Sequence, residues 1–259
     1  MRSPVHSPQS SRLTSNPSTT TILDSAPPTN DVQELFNRIA PVYDQFNHWL
    51  SLGQHQVWKQ MTVRWSRPFL GATCLDVCCG SGDLTRLLAQ AVGTTGHVTG
   101  LDFAAAQLER AKQITAVKVG DKPISWVEGD ALNLPFEDNS FDAVTMGYGL
   151  RNVVDIQGAL RELLRVLKPR CTVAILDFHR PYNSTMHGFQ TWCLNQVVVP
   201  LASQFGLAAE YAYILPSLER FPQGFQQVQI AQATGFVNVV HYEIVGGMMG
   251  VLVAQKSNF

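Results

Sequence analysis

Asp76-Val77-Cys78-Cys79-Gly80-Ser81-Gly82-Asp83 is the stretch from which the architecture can be read. Upstream of it, 74–78 is a short apolar run ending in glycines, the pattern of a strand buried on both faces of a parallel sheet. Downstream, 82–91 puts Leu84, Leu87, Leu88 and Ala91 on one helical face. The unit is strand, glycine turn, helix. Working outward, the alternation repeats: strands are expected at 97–103, 124–127, 141–146 and 171–178, with helices at 104–117 and from 155 to 167, the last stopped by Lys168-Pro169. Two closing strands, 236–243 and 250–254, read as a hairpin through Gly246-Gly247. Strand and helix alternating through short connections predict a doubly wound α/β sheet.

Composition narrows the class. Of the 259 residues 45% are hydrophobic, enough for a full core, and the net charge of -1 argues against a nucleic acid partner. The five cysteines are odd in number and match no zinc framework, so a reducing compartment without structural disulfides is expected, adjacent Cys78 and Cys79 included. No run of 18 apolar residues exists, so no transmembrane helix is expected. Residues 1–30 are rich in Ser, Thr and Pro, with Arg2 and Arg12 as their only permanent cations; they read either as a disordered tail or as an organelle transit segment. The globular domain is expected over 31–259, opening with a helix at 31–38 capped by Asn30 or Asp31 and a helical cover over 31–70.

The loop chemistry points to a ligand. Gly80 and Gly82 let backbone approach a ligand without a Cβ clash. A dinucleotide fingerprint would place a third glycine where Thr85 stands, and Asp83 would oppose a pyrophosphate. An acid there suits a cationic ligand, and S-adenosylmethionine carries both an ammonium and a sulfonium. Asp102, 20 residues after Gly82, ends the second strand where an acid meets ribose hydroxyls, and it doubles as a helix N-cap. That feature serves NAD and S-adenosylmethionine alike. Asp130 in Gly129-Asp130-Ala131 is either the partner of an adenine amino group or a turn residue. Leu134-Pro135-Phe136 offers an apolar wall.

These words resemble class I S-adenosylmethionine-dependent methyltransferases, whose Rossmann-like sheet has seven mostly parallel strands and one antiparallel strand at the C-terminal end. Three further stretches resemble the ubiquinone/menaquinone biosynthesis C-methyltransferase family: Phe36-Asn37-Arg38-Ile39-Ala40-Pro41-Val42-Tyr43-Asp44 running on through His55 and Trp58, Gly149-Leu150-Arg151-Asn152, and Arg165-Val166-Leu167-Lys168-Pro169. Thr145-Met146-Gly147-Tyr148, Ile175-Leu176-Asp177-Phe178-His179 and His241-Tyr242-Glu243 resemble its cyanobacterial and plastid, phylloquinone-making branch. The resemblance implies cofactor contacts at Asp76, Gly80, Ser81, Gly82, Asp102, Phe103, Asp130, Ala131 and Gly147. The chain departs from the family where Arg170-Cys171 replace two glycines, and at Gly147, where a serine is often found.

The implied reaction is methylation of a prenylated naphthoquinol, 2-phytyl-1,4-naphthoquinol, at ring carbon 3, with no metal. Moving a phenol-like pKa from about 10 toward 7 takes roughly 4 kcal/mol. Arg151 is expected to stabilise the phenolate as a fixed cation, while Asn152 and Tyr43 hold a water that takes the proton; His179 is the second candidate acceptor, ahead of Asp44. Trp58 and Trp65 are read as packing residues, and His241 as a strand-pairing residue. The apolar stretch 192–209, broken by Pro200, reads as a lid touching lipid or as a core or homodimer helix. Peripheral attachment on the cytoplasmic side of a membrane is expected, with a chloroplast as the alternative. Competing readings are a demethylmenaquinol or benzoquinol methyltransferase, an NAD oxidoreductase, and a non-catalytic S-adenosylmethionine-binding component of a biosynthetic complex.

Overall fold

The computed structural model describes residues 54–118 and 123–258, with the side chains of 209–210 left aside. The segment 1–53 lies outside the described residues, and with it the tail, the expected helix at 31–38, and Tyr43 and Asp44. In chain order the elements are α1 (His55–Ser66), β1 (Thr73–Val77), α2 (Asp83–Val92), β2 (His97–Asp102), α3 (Ala105–Lys118), β3 (Ile124–Glu128), β4 (Phe141–Gly147), a 3-10 turn (Leu150–Asn152), α4 (Ile156–Val166) and β5 (Leu167–Phe178). There follow α5 (Ser184–Cys193), a π turn (Leu194–Val198), α6 (Val199–Ser203), α7 (Ala208–Ala212), α8 (Ile214–Arg220), α9 (Gly224–Thr234), β6 (Phe236–Ile244), a 3-10 turn (Val245–Gly247) and β7 (Met249–Lys256).

The strands form one seven-stranded sheet in the order β3-β2-β1-β4-β5-β7-β6. Among the described residues only β7 runs against the rest, pairing antiparallel with both β5 and β6. This is the class I methyltransferase sheet expected from the sequence. Strand alternation divides the core in two. Leu75, Val77, Val144 and Met146 face a core shared with α4 and α9, while Cys74 and Ala143 face Leu84, Leu88 and Val63 of α2 and α1. The order reverses between β1 and β4, whose neighbours lie on opposite sides, so the C-terminal ends of these strands open a crevice. Trp58 and Trp65 of α1 pack on Ala174, Leu176, Met249 and Val251, and Trp65 stacks on Tyr242 at 4.5 Å between ring centroids. α1, the described helix of the cover, is thus seated on the sheet by aromatic packing.

Two details differ from the sequence reading. β5 begins at Leu167 rather than 171: Leu167 pairs with Phe141, the register then shifts, and Thr172 pairs with Ala143. Pro169 and exposed Arg170 occupy the irregular stretch, where a strand tolerates a missing N–H. Pro200 does not break the helical stretch. Its missing N–H is absorbed by the π turn at Leu194–Val198, and helix runs on through Ser203.

Arg170 has φ 65°, the left-handed region, at a position where the family resemblance has glycine. An L side chain there costs roughly 1–2 kcal/mol, offset in part by the chain entropy that glycine adds to the unfolded state. Arg170→Gly should therefore raise stability by about 0.5–1 kcal/mol in urea titration and leave cofactor affinity unchanged; a fall in stability would show that the Arg170 side chain contributes more than its strained backbone removes.

Candidate active site

A cavity opens at the switch point. Its wall is built from the Cys78–Ser81 loop, Asp83 and Leu84 of α2, Asp102 and Phe103 after β2, Gly129 to Leu132 after β3, Gly147 to Gly149 after β4, Asn152 to Val154, and Lys59 of the cover. The space it encloses is about 1080 Å3 with its mouth included.

The loop owes its shape to two buried carboxylates. Asp76, the last but one residue of β1, is fully buried and accepts the Thr85 hydroxyl at 2.7 Å and the Thr145 hydroxyl at 2.8 Å. Burial pushes its carboxyl up to about 7 against the pull of those bonds. Asp76, expected among the cofactor contacts, lies beneath the loop and outside the cavity wall. Asp102 does line the cavity. Its Oδ2 accepts from the Gly80 N–H at 2.8 Å and its Oδ1 from the Ala104 N–H at 2.9 Å; Ala104, whose carbonyl takes the Leu108 N–H, is itself the helix cap, so Asp102 supports the helix start from two residues before it instead of capping it. With the Phe103 N–H as a third donor, the carboxylate retains one of its roughly four acceptor sites for a ribose hydroxyl. Asp130 acts as a turn residue, its Oδ1 accepting from the Leu132 N–H at 2.9 Å, and it also lines the wall.

The two loop glycines have different reasons. A Cβ on Gly80 (φ 54°) meets nothing nearer than Gln107 Oε1 at 4.0 Å, and both residues line the cavity, so a methyl would take up ligand space. A Cβ on Gly82 (φ 84°) would lie 2.5 Å from Trp126 Cη2. Gly82 is outside the wall; it lets the loop rest on the Trp126 ring, which the structure corrects from direct approach to a ligand. Gly147 serves similarly, since a Cβ there would strike Leu84 Cδ1 at 2.7 Å. Ser81, Phe103 and Ala131 stand in the wall as expected.

Asp83 is corrected more sharply. Its Oδ2 accepts from Lys59 Nζ at 2.6 Å and its Oδ1 closely contacts Arg86 Nη2. Burial raises its carboxyl, but Lys59 and Arg86 outweigh burial and hold it down at about 2. The acid read as a partner for a cationic ligand is already matched by two cations.

The expected catalytic residues separate. Asn152 lines the cavity, donates Nδ2 to the Tyr148 carbonyl at 3.0 Å, and leaves its buried Oδ1 without a partner among the described residues. Arg151 does not line the cavity. Its Nη1 donates to Asp177 Oδ1 at 2.6 Å and to the Tyr148 carbonyl at 3.0 Å, its backbone N–H meets Asp177 Oδ2 at 3.0 Å, and its side chain is 5% exposed. A guanidinium so committed clamps the wall rather than facing an acceptor. What it clamps is Tyr148, a non-glycine residue at φ 59°. His179 is 4% exposed and sits away from the cavity, its Nε2 at 3.0 Å from His241 Nε2 and 3.3 Å from Gln227 Nε2. Burial and the neighbouring His241 push it down to about 3, so a site remote from the cavity and a low basicity both remove it as the proton acceptor. Cys78 and Cys79 are free thiols. Lys59, Gln107, Leu132, Val153 and Val154 also line the cavity and were missed; nothing in their local sequence separates them from ordinary helix or loop residues.

The glycine contrast is testable. Gly80→Ala should lower S-adenosylmethionine affinity at least about tenfold by calorimetry with a modest loss of stability, whereas Gly82→Ala should cost about 2–4 kcal/mol of folding stability through the Trp126 clash and left-handed strain. Reversal of that pattern would place the ligand against Gly82 instead.

The sequence matches the ubiE/COQ5 methyltransferase family over residues 24–256. Among curated proteins it is 58% identical over 228 residues to the 2-phytyl-1,4-naphtoquinone methyltransferase of Trichormus variabilis, covering 88% of this chain and 100% of that one. It is 51% identical over 229 residues to the chloroplastic 2-phytyl-1,4-beta-naphthoquinone methyltransferase of Arabidopsis thaliana, covering 88% of each. Solved structures with the same fold include a SAM-dependent methyltransferase from Aquifex aeolicus (TM-score 0.57, 20% identity, 76% of this chain and 88% of that one) and the [4+2]-cyclase SpnF (TM-score 0.61, 17% identity, 90% and 98%). The cofactor is S-adenosylmethionine. The cavity fits it, with open space over Gly80 and acids at the ends of β2 and β3 for a nucleoside. The chain is an S-adenosylmethionine-dependent methyltransferase belonging to the ubiE/COQ5 methyltransferase family.

Proposed function

We propose that the acceptor is a prenylated naphthoquinol, 2-phytyl-1,4-naphthoquinol, methylated at ring carbon 3. The observation that carries this reading is identity of 51 to 58% with relatives named for that substrate, along essentially the whole folded chain. Bound S-adenosylmethionine supplies an electrophilic methyl on positive sulfur, and the chain's residues do the rest. Asp102 holds the ribose and Asp130 the adenine amino group. The apolar wall of Leu132, Val153 and Val154 excludes water from the ring. Asn152 lines the same wall, and its Oδ1, a buried acceptor without a partner among the described residues, receives the quinol hydroxyl or the water that takes its proton. As that O–H proton departs, ring carbon 3 gains the electron density needed to take the methyl; the ring C–H proton then leaves to water and the oxygen regains its proton, so one proton is released in all. Arg151 acts through Tyr148, as a positioning residue.

The test uses reduced and oxidised naphthoquinones with labelled S-adenosylmethionine. Turnover should require a reductant, since a quinone has no ring hydroxyl to lose. Arg151→Ala should lower stability by about 3 kcal/mol, the scale of a broken buried pair, and its lost activity should not return at alkaline pH. Methylation of the oxidised quinone would overturn the mechanism; alkaline rescue would return Arg151 to the phenolate.

The same reading includes contact with lipid. Residues 181–209 hold no Asp, Glu, Lys or Arg. From this stretch Tyr182, Phe189, Trp192, Val197 and Phe205 are exposed, with Phe189 and Trp192 stacked at 6.3 Å. Among the described residues no helix is long and apolar enough to cross a membrane, so the segment would lie in the interface, where a phytyl chain can be withdrawn. A peripheral position follows, on the cytoplasmic face of a cyanobacterial-type membrane or within a chloroplast. Phospholipid vesicles should float the protein, and Phe189→Ser with Trp192→Ser should abolish flotation without unfolding. Unchanged flotation, or a wild-type dimer in solution that both changes dissociate, would assign this face to a second copy.

A further inference from the structure

The charge cluster under the cover is the feature that neither the fold nor the proposed chemistry uses. Lys59 Nζ donates to Asp83 Oδ2 at 2.6 Å, and Asp83 Oδ1 meets Arg86 Nη2. Arg86 is turned away from the cavity, giving Nη1 to the Ser81 carbonyl at 2.7 Å. Lys59 and Asp83 both line the cavity, with side chains 13% and 20% exposed. Two cations against one ionised acid leave one positive charge at this end. The ammonium has three donors and Asp83 takes one. The same wall carries Asp102 and Asp130 on other elements, at the end of β2 and just after β3.

The cavity is therefore polarised, cationic where α1 crosses the start of α2 and acidic where β2 and β3 end. S-adenosylmethionine is polarised in the matching sense. Its ribose offers hydroxyl donors, and its one anionic group, the α-carboxylate, lies at the far end from the adenosine. We propose that Lys59 receives the α-carboxylate of the cofactor, and that Asp83, through Arg86, holds the ammonium on the cavity wall in position to do so. The sign of this end of the site is thus opposite to the one Asp83 alone suggests. A cation that is partly buried gains more from a charged acceptor than from water, because the low-dielectric wall strengthens the pairing.

Calorimetry with three ligands tests this without turnover: S-adenosylmethionine, S-adenosylhomocysteine, which keeps the carboxylate and lacks the sulfonium, and decarboxylated S-adenosylmethionine, which lacks only the carboxylate. The wild-type protein should bind the first two at least about tenfold more tightly than the third, the scale of one charged hydrogen bond. Lys59→Met should weaken the first two by that factor and leave the third within about twofold, and Lys59→Arg should recover part of the loss. Asp83 keeps Arg86 in Lys59→Met, so the fold should persist, and thermal melting checks it. Equal binding of all three ligands by the wild type overturns the proposal, as does a loss in Lys59→Met that is the same for all three or absent. If Lys59→Met does not fold, the wild-type ligand series and Lys59→Arg still decide: Lys59→Arg must keep the preference for the carboxylate.

Discussion

One fully buried carboxylate sets the geometry on which the site depends. Asp76 is the last but one residue of β1, and its two oxygens take hydroxyls from Thr85 on α2 and Thr145 on β4. Three elements meet at that point, and the glycine loop leaves from it. A buried acid with no cation directly bonded to it is costly when ionised, and burial raises its carboxyl to about 7. Two hydroxyl donors make the position tolerable and specific: neither strand nor helix can slide without orphaning an acceptor. Asp102 repeats the device one strand away, tying the Gly80 N–H to the start of α3. The cavity is the space these two acids leave open.

Charge around the cavity is arranged by pairing behind the wall. Arg151 is neutralised by Asp177 and donates also to the carbonyl of Tyr148, whose backbone sits in a left-handed conformation between two glycines. Such strain persists where neighbours over-determine it, and here Arg151, Asn152 and the Leu176 carbonyl all hold the same residue. The result puts Asn152 in the cavity wall while the guanidinium stays behind it. Lys59 and Asp83 show the converse arrangement, a pair that remains in the wall and, with Arg86 also on Asp83, carries one surplus positive charge.

The helical stretch from α5 to α8 adds what the sheet lacks. It closes its own small core around Ala202, Leu207, Tyr211, Ile214 and Leu218, so the aromatics left outside are not needed for that packing. A long uncharged face carried by a self-sufficient core is consistent with an acceptor drawn from lipid.

The sequence by itself determined the order of strands and helices, the glycine loop, and the acids at the ends of β2 and β3. These are local properties, since apolar periodicity, turn residues and caps act within a few positions of one another. It also carried the family, through words such as Gly149-Leu150-Arg151-Asn152. Only the tertiary structure decided which side of the wall each polar group occupies. Arg151 and Asn152 are adjacent in sequence, yet one is buried against Asp177, 26 residues away, and the other lines the cavity. Asp83 reads as an anion along the chain and becomes the minority charge once α1 brings Lys59 from 24 residues upstream. His179 ends a strand as a catalytic base might, but β6 and α9 fold His241 and Gln227 over it. The net field in a site depends on partners distant in sequence, and no local pattern records them.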